Sequence, residues 1–181
     1  MKFIDNNLPD YTSPKLEINK DEHGHTIMTY KDTNHALGNF SNYSEIFLGD
    51  CENCKWWRDN FNSFNWETCD SVLVVGLGMG LFPLSLYEEK NCSTVDVLEI
   101  SQEIIDYTNS HGQLNENINL IQGDVYSYTT TELYDLIIID TIWLPNEMTE
   151  DQWQSLVTKF TNNVNPGGVI YAPIYQKWVV I

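Results

Sequence analysis

Residues 71–80, Ser-Val-Leu-Val-Val-Gly-Leu-Gly-Met-Gly, constrain the fold more than any other stretch. Five apolar or small residues, short and unbroken, suit a parallel strand buried on both faces. Three alternating glycines then stand before an apolar-periodic run, Leu81–Glu88, that reads as a helix. Glycine has no Cβ, so it takes positive φ and lets another group lie against bare main chain. A glycine turn between strand and helix also aims the helix's first N–H groups at whatever sits there. Gly76, Gly78 and Gly80 therefore predict a seat for a polar ligand, with a tight strand–helix junction as the plainer alternative. The spacing is G-x-G-x-G. The dinucleotide pattern G-x-G-x-x-G would put its third glycine at 81, which is Leu, so a pyrophosphate ligand is disfavoured.

The alternation continues downstream. Thr94–Ile100 reads as a strand, and Ser101 can cap a helix running to about Ser110, with Glu103 in its first turn. Ile118–Gln122 is a strand ending at Gly123-Asp124. Asp135–Asp140 is the most apolar strand. Thr149–Gln152 is a capping box opening a helix with Trp153, Leu156, Val157 and Phe160 on one face. Asn165-Pro-Gly-Gly168 is expected to break that helix and lead into a fifth strand, Val169–Ile174. Five strands alternating with helices require right-handed crossovers and a parallel sheet covered on both faces.

In such a sheet, ligands lie beyond the carboxyl ends of the strands. That places Gly76–Gly80, Glu99, Asp124 and Asp140–Trp143 around one pocket. Glu99, 23 residues after Gly76, can accept hydrogen bonds from both hydroxyls of a ribose. Asp124 can accept from an exocyclic adenine amine, and Asp140 stands where substrate chemistry would occur. Any one of these carboxylates alone is more often a cap or a solvated terminus. Their succession at strand ends, in register with the glycine turn, is what points to a site.

Before residue 70 the pattern differs. Lys15–Asp32 reads as a β-hairpin: Leu16 and Ile18 alternate with polar residues, and Asp21–Gly24 supplies turn chemistry. Cys51–Phe64 is aromatic-rich and reads as a helix that covers the sheet or walls a pocket. The expected division is 1–69, a hairpin plus this helix, and 70–181, the ligand-binding domain. Cys51-Glu-Asn-Cys54 has the spacing of half a zinc site, for which His23 and His25 are the nearest complement. One such pair without a second reads as ordinary thiols, and no metal is expected.

Nine basic residues against 26 acidic ones give a formal charge of −17. Phosphate-binding surfaces need clustered Lys and Arg, so nucleic acid is excluded as a first expectation. A cationic small molecule would be drawn in by this field. No apolar run reaches the ~20 residues of a membrane span, and the first residues show no secretory pattern. Membrane association is not expected, and the cytoplasm is the expected compartment.

These stretches together resemble the class I S-adenosylmethionine-dependent methyltransferase superfamily, over roughly residues 70–175. "VLVVGLGMG" is similar to the motif that holds the methionine portion of the cofactor. "VDVLEIS" resembles the acidic second strand, which implies Glu99 on the ribose with Ile100 beside it. "IQGDV" resembles the adenine motif, which implies Asp124 and Val125. "YDLIIIDTIW" resembles the fourth strand and catalytic turn, and "NPGGVIYAPI" the fifth strand. The resemblance implies a Rossmann-like α/β fold, a parallel sheet with helices on both faces. This one is shortened at the C-terminus and preceded by the small hairpin and helix. After the fifth strand at most one short strand is expected, in "YQKWVVI", and a sheet edge is expected to be left open. Cover from the N-terminal hairpin or a homodimer partner is expected there.

"NYSEIFLG" is similar to the Tyr-x-Glu segment of spermidine synthases, which implies Tyr43 and Glu45 beside the donor and amine sites. That branch carries two aspartates three apart after the fourth strand. Asp140 matches the first, and Trp143 stands at the second. The first expectation is therefore methyl transfer from S-adenosylmethionine to a small-molecule acceptor. Asp140 accepts the nucleophile's proton, assisted by Tyr43, and Glu45 and Trp143 shape the acceptor pocket. The second is aminopropyl transfer from decarboxylated S-adenosylmethionine to a polyamine, which the −17 charge suits. The third is a cofactor-binding module without chemistry.

Overall fold

The computed structural model describes residues 10–14, 16–20, 22, 26–30, 43–46, 69–78, 80–111, 114–140, 148–173 and 176–181. The described chain forms two sheets. Four strands, β1 (Tyr11–Thr12), β2 (Leu16–Lys20), β3 (Thr26–Tyr30) and β4 (Tyr43–Ile46), make an antiparallel meander in sequence order. The expected hairpin is its centre, with Leu16 opposite Tyr30 and Lys20 opposite Thr26. The alternation read in β2 is what folds it: Leu16 and Ile18 are fully buried and Glu17 and Asn19 are half-buried.

The second sheet holds β5 (Ser71–Val75), β6 (Thr94–Glu99), β7 (Ile118–Gln122), β8 (Tyr134–Ile139), β9 (Val164–Ala172) and β10 (Lys177–Val180). Its order is β10-β9-β8-β5-β6-β7, and only the β9–β10 pair is antiparallel. Three helices join these strands: α1 (Leu81–Lys90), α2 (Gln102–Ser110) and α3 (Glu150–Phe160). Strand order reverses at β5, between β6 and β8, so the crevice of such a sheet opens above the carboxyl end of β5.

Alternate strand residues face opposite ways and build two cores. Val72, Val74, Val95, Val97, Leu136 and Ile138 pack with Phe82 and Leu86 of α1 and Ile104, Ile105 and Tyr107 of α2. Leu73, Val75, Leu98, Ile137 and Ile139 pack with Trp153, Leu156 and Phe160 of α3. Helices thus cover both faces, as expected for an α/β fold.

Three expectations are corrected. First, Leu16 and Ile18 belong to the α1–α2 core. The meander therefore lies on a face of the large sheet, and does not cover the β10 edge as expected of the hairpin. The Tyr11 ring meets Tyr107 edge-on at 5.3 Å, and its hydroxyl donates to Glu103 Oε1 at 3.0 Å. No described strand pairs with the outer side of β10.

Second, Asn165–Gly168 does not break α3. The helix ends at Phe160 and passes through a short 3-10 turn, Thr161–Asn163, straight into β9. The Asn-Pro-Gly-Gly stretch lies inside that strand as an irregularity: Tyr134 pairs with Val164, but Leu136 pairs with Val169. Gly167 has φ +84°, and a Cβ on Gly168 would stand 2.7 Å from the Asp135 carbonyl oxygen. Gly168 serves close backbone approach and Gly167 a positive-φ turn of the strand, and neither terminates the helix. Third, the fifth strand begins at Val164 and ends at Ala172, earlier at both ends than expected.

Candidate functional site

Backbone hydrogen bonds continue past the strand ends and knit the loops that follow. Asp140 N donates to Val75 O (2.8 Å), Gly76 N to Leu98 O (2.8 Å), and Gly123 N to Glu99 O (2.9 Å). The glycine turn and the loops after β6, β7 and β8 are therefore held side by side.

Within the turn, Gly76, Gly78 and Gly80 all take positive φ (102°, 53° and 79°), which side chains disfavour. Gly80 N closes the turn on Leu77 O at 2.9 Å. Gly80 is also the N-cap of α1 and makes no side-chain cap. A Cβ there would come within 2.8 Å of Leu114 Cδ2. Pro83 lies in the first turn of α1 and has no N–H. The helix start thus offers fewer donors than a phosphate seat would use.

Glu99, at the end of β6, is 7% exposed. Its Oε2 accepts from Leu77 N at 2.9 Å and its Oε1 from Ser101 N at 2.8 Å. Burial pushes its pKa up, and the N–H groups of Leu77, Ser101 and Ile100 pull against that shift. Ser101 caps α2 by accepting from Ile104 N through its hydroxyl. One carboxylate therefore ties the glycine turn to the start of α2. An ionised carboxylate has about four lone-pair sites, so acceptor capacity remains. Ile100, next in sequence, exposes its side chain.

After β7, Asp124 Oδ1 accepts from Tyr126 N at 2.9 Å, and its carbonyl accepts from Ser127 N and Tyr128 N. The side chain shapes this turn. The Val125 side chain is buried in the α3 core and does not itself face a ligand. Asp140 follows β8. Its Oδ1 is buried and meets no hydrogen-bond donor among the described residues. Burial first, and then the charge of Glu99, raise the Asp140 pKa to about 7.

The structure thus brings together Gly76, Gly78, Gly80, Glu99, Ile100 and Asp140, with Asp124 and Val125 on the neighbouring loop. Tyr43 and Glu45 lie two apart on β4, opposite Tyr30 and Met28, and their side chains are not among those described. Trp143, Cys51, Cys54, His23, His25 and the aromatic 51–64 stretch lie outside the described residues. The sequence reading missed Leu77 N and Ser101 N as partners of Glu99. A Glu two residues ahead of a capping Ser was the available signal.

A family model described as a methyltransferase domain matches residues 72–168, from β5 into β9. A malonyl-(acyl-carrier protein) O-methyltransferase 2 of Ilyobacter polytropus is 27% identical over 113 residues, 61% of this chain and 41% of that protein. A second from the same organism, malonyl-(acyl-carrier protein) O-methyltransferase 1, is 29% identical over 80 residues, 43% and 30%. Among solved structures, StiE O-MT aligns with a TM-score of 0.53 at 17% identity, over 65% of this chain and 41% of that one. The DhpI–SAH complex aligns at 0.52 and 21%, over 66% and 55%. The chain spans less than half the length of the curated relatives it matches. With the matched segment covering more than half of its residues, the chain belongs to the methyltransferase domain family.

Proposed function

We propose that this chain is an S-adenosylmethionine-dependent methyltransferase acting on a small-molecule acceptor. The observation that carries the reading is Glu99 bonded to Leu77 N inside a turn of three positive-φ glycines. The residues fit such a cofactor. The glycines leave main chain open for the methionine portion. Glu99 keeps acceptor capacity for the ribose hydroxyls, and the exposed Ile100 side chain offers an apolar face to adenine. Asp124 and the Val125 main chain edge the adenine position. A start of α1 with few donors suits a ligand without phosphate better than a pyrophosphate.

When bound, the cofactor supplies a methyl group already activated on a sulfonium. The protein's task is to align the acceptor and exclude water. Asp140 accepts the nucleophile's proton, and its buried setting, with a pKa near neutrality, suits a general base. Tyr43 assists, and Glu45 and Trp143 border the acceptor. The division at residues 69/70 makes 70–181 the cofactor-binding part and the meander its cover. The proposed compartment is the cytoplasm; among the described residues no helix is long and apolar enough to cross a membrane. Trp178 and Val180, 67% and 55% exposed on the β10 edge, are the surface through which a homodimer would form.

Calorimetric titration with S-adenosylmethionine and S-adenosylhomocysteine tests this reading. Micromolar binding, lost in Glu99→Ala, is expected, and absence of binding by either compound would refute it. Aminopropyl transfer is the second reading, favoured by the −17 charge and by Asp140 at the position of the amine-activating aspartate. Tighter binding of decarboxylated S-adenosylmethionine than of the intact cofactor would select it.

A further inference from the structure

β10 ends the large sheet, and no described strand pairs with its outer side. Ile181 N donates to Gly168 O at 3.0 Å, and Ile181 O accepts from Gly167 N at 2.8 Å. The main chain of Ile181 therefore faces β9. Main-chain N–H and C=O groups alternate sides along a strand, and β10 pairs with β9 one to one from Lys177 to Val180. Val179 and Lys177 thus also turn toward β9, whereas Trp178 and Val180 turn their N–H and C=O outward. The side chains divide the same way. Val179 and Ile181 pack with the α3 core, so Trp178 and Val180 stand on the opposite face. There they are exposed, beside the half-buried Tyr171 and Val169 of β9.

An open strand edge is ordinarily blunted by polar or charged side chains. The far end of the sheet follows that rule. β7 exposes Asn119 and Gln122, shows no exposed large apolar side chain, and has Glu116 and Asp124 beyond its ends. β10 does not follow it. Lys177 is drawn to Glu150 at 2.6 Å, which leaves that pair without net charge. All 26 acidic residues lie before position 152, and residues 152–181 carry Lys159 and Lys177 and no acid. Two copies of a chain of charge −17 repel one another. At β10 they can meet apolar to apolar, with little opposed acid.

We propose that this edge takes a second copy of the chain, with β10 antiparallel to β10 about a two-fold axis at Val179. The proposal rests on the homodimer named above, to which it gives a register, and is independent of the chemistry at the glycine seat. In this register Trp178 falls opposite Val180 of the second copy, and Val180 opposite its Trp178. Each outward N–H then meets an outward C=O, and both outward residues of each copy are used. An aromatic ring against a β-branched side chain is a favourable cross-strand pair. The contact is isologous and closed, so it stops at two copies. Stable interfaces bury upward of about 1,000 Å². A strand of four residues, with Tyr171 and Val169 beside it, stands at the small end of that scale. The dimer is therefore a micromolar one.

The test is sedimentation velocity of the full chain from about 2 to 200 µM, with residue-resolved amide exchange at both ends of that range. A monomer–dimer equilibrium is expected. Exchange at the Trp178 and Val180 amides should slow about threefold or more at the higher concentration, and by more than at Val179, which is already bonded to β9. Salt should tighten the dimer, because it screens the repulsion between acidic chains. Trp178→Glu and Val180→Pro should each weaken it about tenfold or more, the first by adding charge and the second by removing an outward donor while sparing β9. A chain that stays monomeric throughout overturns the proposal and the homodimer together, and leaves the edge to another occupant. A dimer whose Trp178 and Val180 amides exchange at one rate throughout overturns the β10 pairing and leaves the homodimer standing. A dimer that salt weakens is held by ion pairs, and overturns the pairing as well. These wild-type measurements need no variant to fold. Titration with S-adenosylhomocysteine decides the methyltransferase reading separately, in monomer and dimer alike.

Discussion

Glu99 Oε2 accepts from the main-chain N–H of Leu77 at 2.9 Å, across 22 residues of sequence. The same carboxylate reaches Ser101 N with its other oxygen, at 2.8 Å. A side chain expected to meet a ribose is thus also the brace that shapes the turn beneath it.

Glu99→Gln keeps the volume but sets an amide N–H2 against one of the two main-chain donors. Hydrogen bonds to charged groups are worth about 1.5–3 kcal/mol, and 1.4 kcal/mol is tenfold in affinity. Calorimetry should show S-adenosylhomocysteine binding weakened about 10- to 100-fold. An affinity equal to that of the wild type would mean that the brace contributes nothing to the seat.

Three glycines should respond in graded order to alanine. At Gly167, φ is +84° and no atom lies within 4 Å of an added Cβ, so only backbone strain of about 1 kcal/mol is expected. At Gly80, φ is +79° and Leu114 Cδ2 lies at 2.8 Å, so strain adds to a clash that a flexible side chain can partly relieve. At Gly168, the obstacles include the carbonyl oxygens of Asp135 (2.7 Å) and Asn165 (2.9 Å), which cannot yield without moving β8 or β9. Urea denaturation should rank the losses Gly168→Ala above Gly80→Ala above Gly167→Ala. Only Gly80→Ala should also weaken cofactor binding.

Asp140 gives the free protein a pH signature. Its folded pKa, about 7, lies above the ordinary carboxylate value of 3.8. Between these values the unfolded chain has lost a proton that the folded chain still holds. Ionisation therefore favours unfolding, and stability falls as pH rises from about 4 to 7, by an amount on the order of a few kcal/mol. Melting curves of Asp140→Asn should lack this decline. Turnover should follow the opposite trend, rising with pH to a midpoint near 7, because the base must be ionised. A wild type and variant with parallel stability profiles would show that Asp140 is not held protonated.

The meander should prove integral to the core. Leu16 is fully buried in the cluster that contains α1 and α2. Leu16→Ala should cost about 2–5 kcal/mol and lower a single melting transition. Two separate transitions, with the second at the wild-type temperature, would mean that the meander folds apart from the α/β sheet.

Much of the fold was legible because its signals are local. β5 and β7 coincide with the runs that mark them, and Ser101 and Thr149 cap α2 and α3 as their sequence context requires. The capping box at Thr149 forms in both directions with Gln152. Misreadings arose where long-range pairing overrode local chemistry. Asn165-Pro-Gly-Gly168 looks like a breaker, yet pairing with β8 keeps it inside a strand and turns Gly168 into a point of close approach. Likewise Tyr134 gives no local sign that its hydroxyl is bound for Asp96, 38 residues away at 2.6 Å.

The candidate site divides the same way. Glycine content, strand ends and carboxylate positions are fixed by residue type and hydrophobic period, so the sequence by itself determined an α/β sheet with a glycine seat and acids at its carboxyl edge. Only the tertiary structure decided that Glu99 is committed to Leu77 and Ser101 while an oxygen of Asp140 is left buried without a donor. It also decided that the meander lies on a face rather than along the β10 edge. The physical reason is that periodicity is written in neighbouring residues, whereas burial, charge proximity and hydrogen-bond satisfaction depend on atoms that only folding brings together.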